Sequence, residues 1–136
     1  MSDAARLATA RSLAATLGSL LGLATVAAGC SSPPVSLPKL GPLASHEVLV
    51  VTNRRGSGAY EKIKIAPGRA VQIAFACIGG GGAEVDAATR PNDFTFFEVD
   101  CSGAKVAFPG VPALSTTLDF RVRSAPDERW SAVISQ

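Results

Sequence analysis

The chain has 136 residues, with 13 Lys and Arg against 11 Asp and Glu for a formal net charge of +2, and it contains one His and three Cys. A balance this close to neutral lacks the basic field that nucleic-acid binding requires, so neither DNA nor RNA is an expected partner. The single imidazole, His46, leaves histidine-based catalysis and metal ligation with almost no material.

The first element is an export segment. Arg6 and Arg11 precede a stretch from Ser12 to Gly29 that carries no charge, and Cys30 closes it. Basic residues, a Leu-rich centre (Leu20, Leu21, Leu23) and small residues at Val26-Ala27-Ala28-Gly29 are the three parts of a secretory signal. With a cysteine at the cut, the segment resembles the signal peptides of bacterial lipoproteins. The resemblance implies that the Cys30 thiol receives a diacylglyceryl group, that residues 1–29 are removed, and that Cys30 becomes the lipid-anchored first residue. The family usually has Leu where this chain has Ala27, and Val26-Ala27-Ala28 also suits ordinary signal peptidase, which would release a secreted protein instead. An uncleaved membrane helix is the third reading, since the 18 residues between Arg11 and Cys30 approach the ~20 that span a bilayer. Thr16, Gly18, Ser19, Gly22 and Thr25 dilute its hydrophobicity, and Pro33 and Pro34 follow at once.

Lipid on Cys30 suffices as the membrane partner. Each buried methylene contributes about 0.8 kcal/mol, so two acyl chains hold a protein durably where one does not. Arg6 and Arg11 outweigh Asp3 and keep that end in the cytoplasm, which puts the mature domain on the extracytoplasmic side of the cell membrane.

Removal of residues 1–29 leaves 107 of the 136, enough for one domain and too few for two. Residues 30–45 read as a lipid-anchored spacer: Pro33, Pro34, Pro38 and Pro42 favour an extended, polyproline-like run that reaches up to roughly 35 Å. Residues 46–136 read as the folded domain.

Within that domain the hydrophobic period is two, and turn residues recur every eight to twelve positions, the pattern of a small all-β, two-sheet antiparallel sandwich of about seven strands. The expected strands are Glu47–Thr52, Glu61–Ile65, Ala70–Ile78, Phe94–Cys101, Leu118–Ser124 and Arg129–Ser135, with Lys105–Phe108 the weakest. Pro67-Gly68 makes a tight turn, because Pro presets a negative φ and Gly accepts a positive one. The segments 53–58, 79–82, 102–103, 109–112 and 125–128 are the other expected breaks.

Alternation assigns faces. Val71, Ile73, Phe75 and Cys77 share one side of their strand, and Phe97, Val99 and Cys101 share one side of theirs, with Glu98 and Asp100 opposite. Two exported cysteines that both face the core should form a disulfide, and a closed loop of about 24 residues stabilises by roughly 3 to 3.5 kcal/mol. Lipidation of Cys30 then leaves no odd thiol. Metal ligation by Cys77 and Cys101 is the rival, but their separation matches no zinc spacing. Leu118, Phe120 and Val122 point inward against Asp119, Arg121 and Arg123, and Trp130 packs as core rather than as an exposed ligand platform.

Chemistry-bearing candidates are few. Gly79-Gly80-Gly81-Gly82 has no Lys-Ser/Thr after it and reads as a flexible turn, not a phosphate loop. Glu84, Asp86 and Asp93 are the one carboxylate cluster; they serve either a glycosidase-like hydrolase or a calcium site, against the plainer reading of solvated loop carboxylates. Arg54 and Arg55 in their Gly/Ser loop are candidate anion ligands, with Arg121 and Arg123 as neighbours on a sheet face. Tyr60, Phe94 and Phe96 are the aromatics available to a carbohydrate-binding module. The expectation is a lipid-anchored, non-enzymatic envelope domain without cofactor or metal that binds an envelope protein or glycan, with a carboxylate hydrolase and a carbohydrate-binding module as alternatives.

Overall fold

The computed structural model describes residues 36–136; the signal segment and Cys30 lie outside the described residues. Among them are seven strands and no helix: β1 Glu47–Arg55, β2 Gly58–Lys64, β3 Val71–Ala88, β4 Phe94–Ser102, β5 Val106–Val111, β6 Thr117–Arg123 and β7 Arg129–Ser135. All pairings are antiparallel.

The strands line up as four long ribbons. β3 runs unbroken for 18 residues. Along one edge lie β7, opposite Gln72 to Ile78, and then β6, opposite Glu84 to Ala88; along the other lie β5 and β4. β1 flanks β7 and β2 flanks β6. Each ribbon is interrupted or bent at the same level: after Arg55, at Gly79–Gly81, after Ser102 and after Arg123.

Ring contacts show that the ribbons fold over there. Phe97 of β4 and Phe108 of β5 stack with centroids 4.0 Å apart, although eleven residues of straight strand would separate them by about 36 Å. Phe120 of β6 reaches Trp130 of β7 at 6.2 Å, and Tyr60 of β2 reaches the same ring at 6.4 Å. The result is the expected sandwich. One layer holds β1, β7, the first half of β3 and β5; the other holds β2, β6, the second half of β3 and β4.

Inward side chains fill the space between. Val71, Ile73, Phe75, Cys77, Val85, Leu118, Phe120, Trp130 and Ile134 are fully buried. Trp130 stacks on Phe75 at 5.8 Å and donates its indole N–H to the Gly56 carbonyl at 2.7 Å, so the polar atom of the largest core side chain is satisfied. Cys77 and Cys101 are bridged, with Cα atoms 4.5 Å apart, and Gly103 donates its N–H to the Cys77 carbonyl beside them at 2.8 Å.

Two expected breaks are corrected. The segment Gly79–Gly82 is not a flexible turn but the bend inside β3, where pairing with β4 shifts register between Ile78 and Gly82. Gly79 and Gly80 take φ of 136° and 80°, values that side chains resist. The buried side chain of Glu128 packs across the bare backbone: a β-carbon on Gly79 would stand 2.7 Å from Glu128 Cγ. Of the break expected at 109–112, residues 109–111 are instead the second half of β5 and only Pro112 lies beyond it; a strand paired only with β3 tolerates Pro109, which has no N–H to give.

The described part of the spacer lies against the domain. Leu43 and Ala44 donate their N–H groups to the buried Ser135 hydroxyl at 3.1 and 3.0 Å. Pro38, Lys39 and Leu40 line a cavity of about 260 Å³ together with Val50, Ser131 and Val133 on the outside of the first layer.

Candidate functional site

The outer face of the second layer gathers most of the polar candidates. Ala83, Val85 and Ala87 point into the core, so Glu84 and Asp86 point outward from β3. The same alternation directs Glu98 and Asp100 outward from β4, and Arg121 and Arg123 outward from β6. Register then sets the neighbours: Glu84 stands between Arg123 and Glu98, and Asp86 between Arg121 and Phe96.

Arg123 holds two carboxylates at once. Its Nη2 donates to Glu84 Oε1 and to Asp86 Oδ2, the latter at 3.1 Å. The Glu84 contact is solvent-exposed and stabilises little by itself. Asp86 differs, because only 8% of its side chain is exposed and its other oxygen, Oδ1, is buried with no partner. Burial pushes the Asp86 carboxyl above the ordinary Asp value and Glu84 adds to this, while Arg123 and Arg121 pull it back down. Arg121 is shared between an exposed ion pair to Glu61 at 3.4 Å and the Phe94 ring, whose centroid lies 5.0 Å from its Cζ.

Beside this row, a depression of about 550 Å³ opens where Gly82 contributes no side chain; Glu84, Glu98, Asp100 and Arg123 stand around it. Glu98 and Asp100 are exposed and make no ion pair among the described residues.

The other candidates are dispersed. Asp93 sits in the β3–β4 turn, where its N–H bonds to the Arg90 carbonyl, and does not join Glu84 and Asp86. Glu84 and Asp86 are therefore strand residues rather than loop carboxylates, and among the described residues no three acidic, His or Cys side chains converge as a metal site. Arg54 and Arg55 end β1, opposite Trp130 and Arg129, exposed and on the other layer from Arg121 and Arg123, which are engaged with acids. Trp130 is core. Phe94 and Phe96 lie 6.5 Å apart but inclined by 39°, which is not the coplanar platform that sugar stacking favours; Phe96 is 59% exposed.

Sequence reasoning placed Glu98 and Asp100 opposite the core yet did not join them to Glu84. The missing step was register across β3 and β4. It also overlooked Glu128, whose carboxylate is buried and accepts the Ala125 N–H at 2.9 Å. In comparisons with known proteins, the chain matches no family model, no curated protein and no solved structure significantly.

Proposed function

We propose that this chain is an exported lipoprotein, anchored through Cys30 on the extracytoplasmic side of the cell membrane, whose β-sandwich is a non-catalytic binding domain that uses the outer face of its second layer. The observation that carries the reading is the attachment of Glu84 and Asp86 to one guanidinium, that of Arg123. Carboxylates committed to a cross-strand arginine stiffen a recognition face. A hydrolytic pair needs one free acid and one free base across a substrate.

The hydrolase reading keeps one observation in its favour, the depression with Glu84 and Glu98 on its walls. The carboxyl with the raised pKa, Asp86, does not line that depression, which separates proton-donating character from the cleft that Glu84 and Glu98 share.

The test is the intact mass of the protein extracted from bacterial membranes, before and after reduction. The expected mass is residues 30–136 plus acyl chains, rising by about 2 Da as one S–S bond becomes two thiols. An unlipidated mass, or that of all 136 residues, overturns the anchor. Hydrolysis of envelope glycans that disappears in Glu98→Gln would overturn the non-catalytic reading.

A further inference from the structure

A sandwich built from four ribbons has four edge strands, and three of them are blunted. β1 shifts register between Val51 and Arg54, with Asn53 at φ 51°. β2 shifts between Tyr60 and Ile63, with Lys62 at φ 54°. β5 shifts against β3 near Val71 and contains Pro109. Bulges, lysines and prolines are the devices by which proteins keep foreign strands off their edges.

β4 itself has no bulge, lysine or proline; its charges are the acids Glu98 and Asp100, and the one shift in its pairing lies on the β3 side, between Ile78 and Gly82. From Phe94 to Asp100 it pairs with β3 without a register shift, and among the described residues nothing pairs with its other edge. Its solvent side presents Phe94 and Phe96, then Glu98 and Asp100, next to the depression around Gly82. A regular edge with free backbone donors and acceptors is a template for one more strand.

We infer that β4 is a docking edge for an extended segment of another protein, which adds as a strand and sets basic side chains against Glu98 and Asp100 and apolar ones against Phe94 and Phe96. This deepens the binding-domain reading above and rests on it. Charge selects the occupant. A second copy pairing through its own β4 would bring Glu98 and Asp100 and no basic residue to this edge, and the basic strands β1 and β2 are bulged, whereas a basic segment gains from opposite charges on facing strands.

The experiment is backbone hydrogen exchange on the membrane-extracted protein, with and without a synthetic peptide as long as β4. The peptide alternates threonine with two lysines followed by two valines on one face, the order in which an antiparallel strand meets Asp100, Glu98, Phe96 and Phe94; a matched peptide replaces the lysines by glutamates. The lysine peptide should slow exchange in β4 and leave β1 unchanged. The double charge reversal Glu98→Lys with Asp100→Lys should weaken that peptide by about tenfold and take up the glutamate peptide instead. No protection of β4 overturns the docking edge, and equal protection by both peptides overturns the charge selection. Concentration-dependent protection of β4 without any peptide assigns the edge to a second copy and overturns the proposed occupant. The mass measurement reads the anchor and the bridge and not strand addition, so its failure and the failure of strand addition are distinguishable.

Discussion

The carboxylate of Glu128 occupies the space in which a β-carbon on Gly81 would stand. The two residues meet where β3 bends from one layer to the other, opposite the segment that joins β6 to β7. Gly81 has no positive φ, so what resists a side chain there is this close approach: the far end of Glu128 would have to turn aside, away from the Ala125 N–H that its Oε2 accepts.

Gly81→Ala should therefore destabilise the fold by about 1–3 kcal/mol, the usual cost of forcing extra volume into a packed site. Glu128→Ala removes the obstacle and also the acceptor for the Ala125 N–H. Denaturant unfolding of both single variants and the double should show clear non-additivity, the double being more stable than the sum predicts. Strict additivity would mean that the two residues do not share the space.

Asp86 should make stability fall as pH rises. Its folded pKa lies above 3.8, so between that value and the raised one the folded state binds more protons than the unfolded state. With more protons bound by the folded chain, the slope of unfolding free energy against pH is negative. Asp86→Asn should flatten the pH–Tm profile in the window that opens upward from 3.8, while a profile identical to that of the parent would remove Asp86 as the source.

Lys62 holds φ 54° within a β-bulge, and its N–H is captured by Asp119 Oδ1 at 2.9 Å. The left-handed conformation disfavours any side chain, and glycine relieves that cost while keeping the N–H. Lys62→Gly should stabilise by about 0.5–1 kcal/mol in thermal unfolding, whereas Asp119→Ala should destabilise by about 1 kcal/mol through the lost bond. A destabilised Lys62→Gly would show that the lysine side chain contributes more than its conformation costs.

Replacing both bridge cysteines, Cys77→Ala with Cys101→Ala, should cost roughly 3 kcal/mol for a bridge that closes a separation of 24 residues. Because Cys77 lies directly opposite Trp130 in the β3–β7 pairing, the same variant should also shift the fluorescence of this lone tryptophan. Unchanged stability and emission together would mean that packing around Trp130 holds the corner without the bridge.

Much of this was legible along the chain because side chains alternate at a period of two. That local rule, applied to Val71–Cys77 and to Phe97–Cys101, was enough to turn both cysteines inward and to place Trp130, Phe120 and Leu118 in the core. Composition likewise carries the expectation that nucleic acid is not a partner, and the order of charges, leucines and Cys30 carries the resemblance to lipoproteins by itself. What the tertiary structure decided is everything that depends on register between distant segments. The glycines at 79–82 look like a turn until β6 and β7 are seen to continue along the same edge of β3, which makes them a bend over Glu128. Glu84, Asp86 and Asp93 look like one cluster in sequence, but pairing divides them, giving the first two to Arg123 and leaving the third in a turn. Local periodicity tells each residue which face it occupies; only the paired strands determine which side chains stand beside it there.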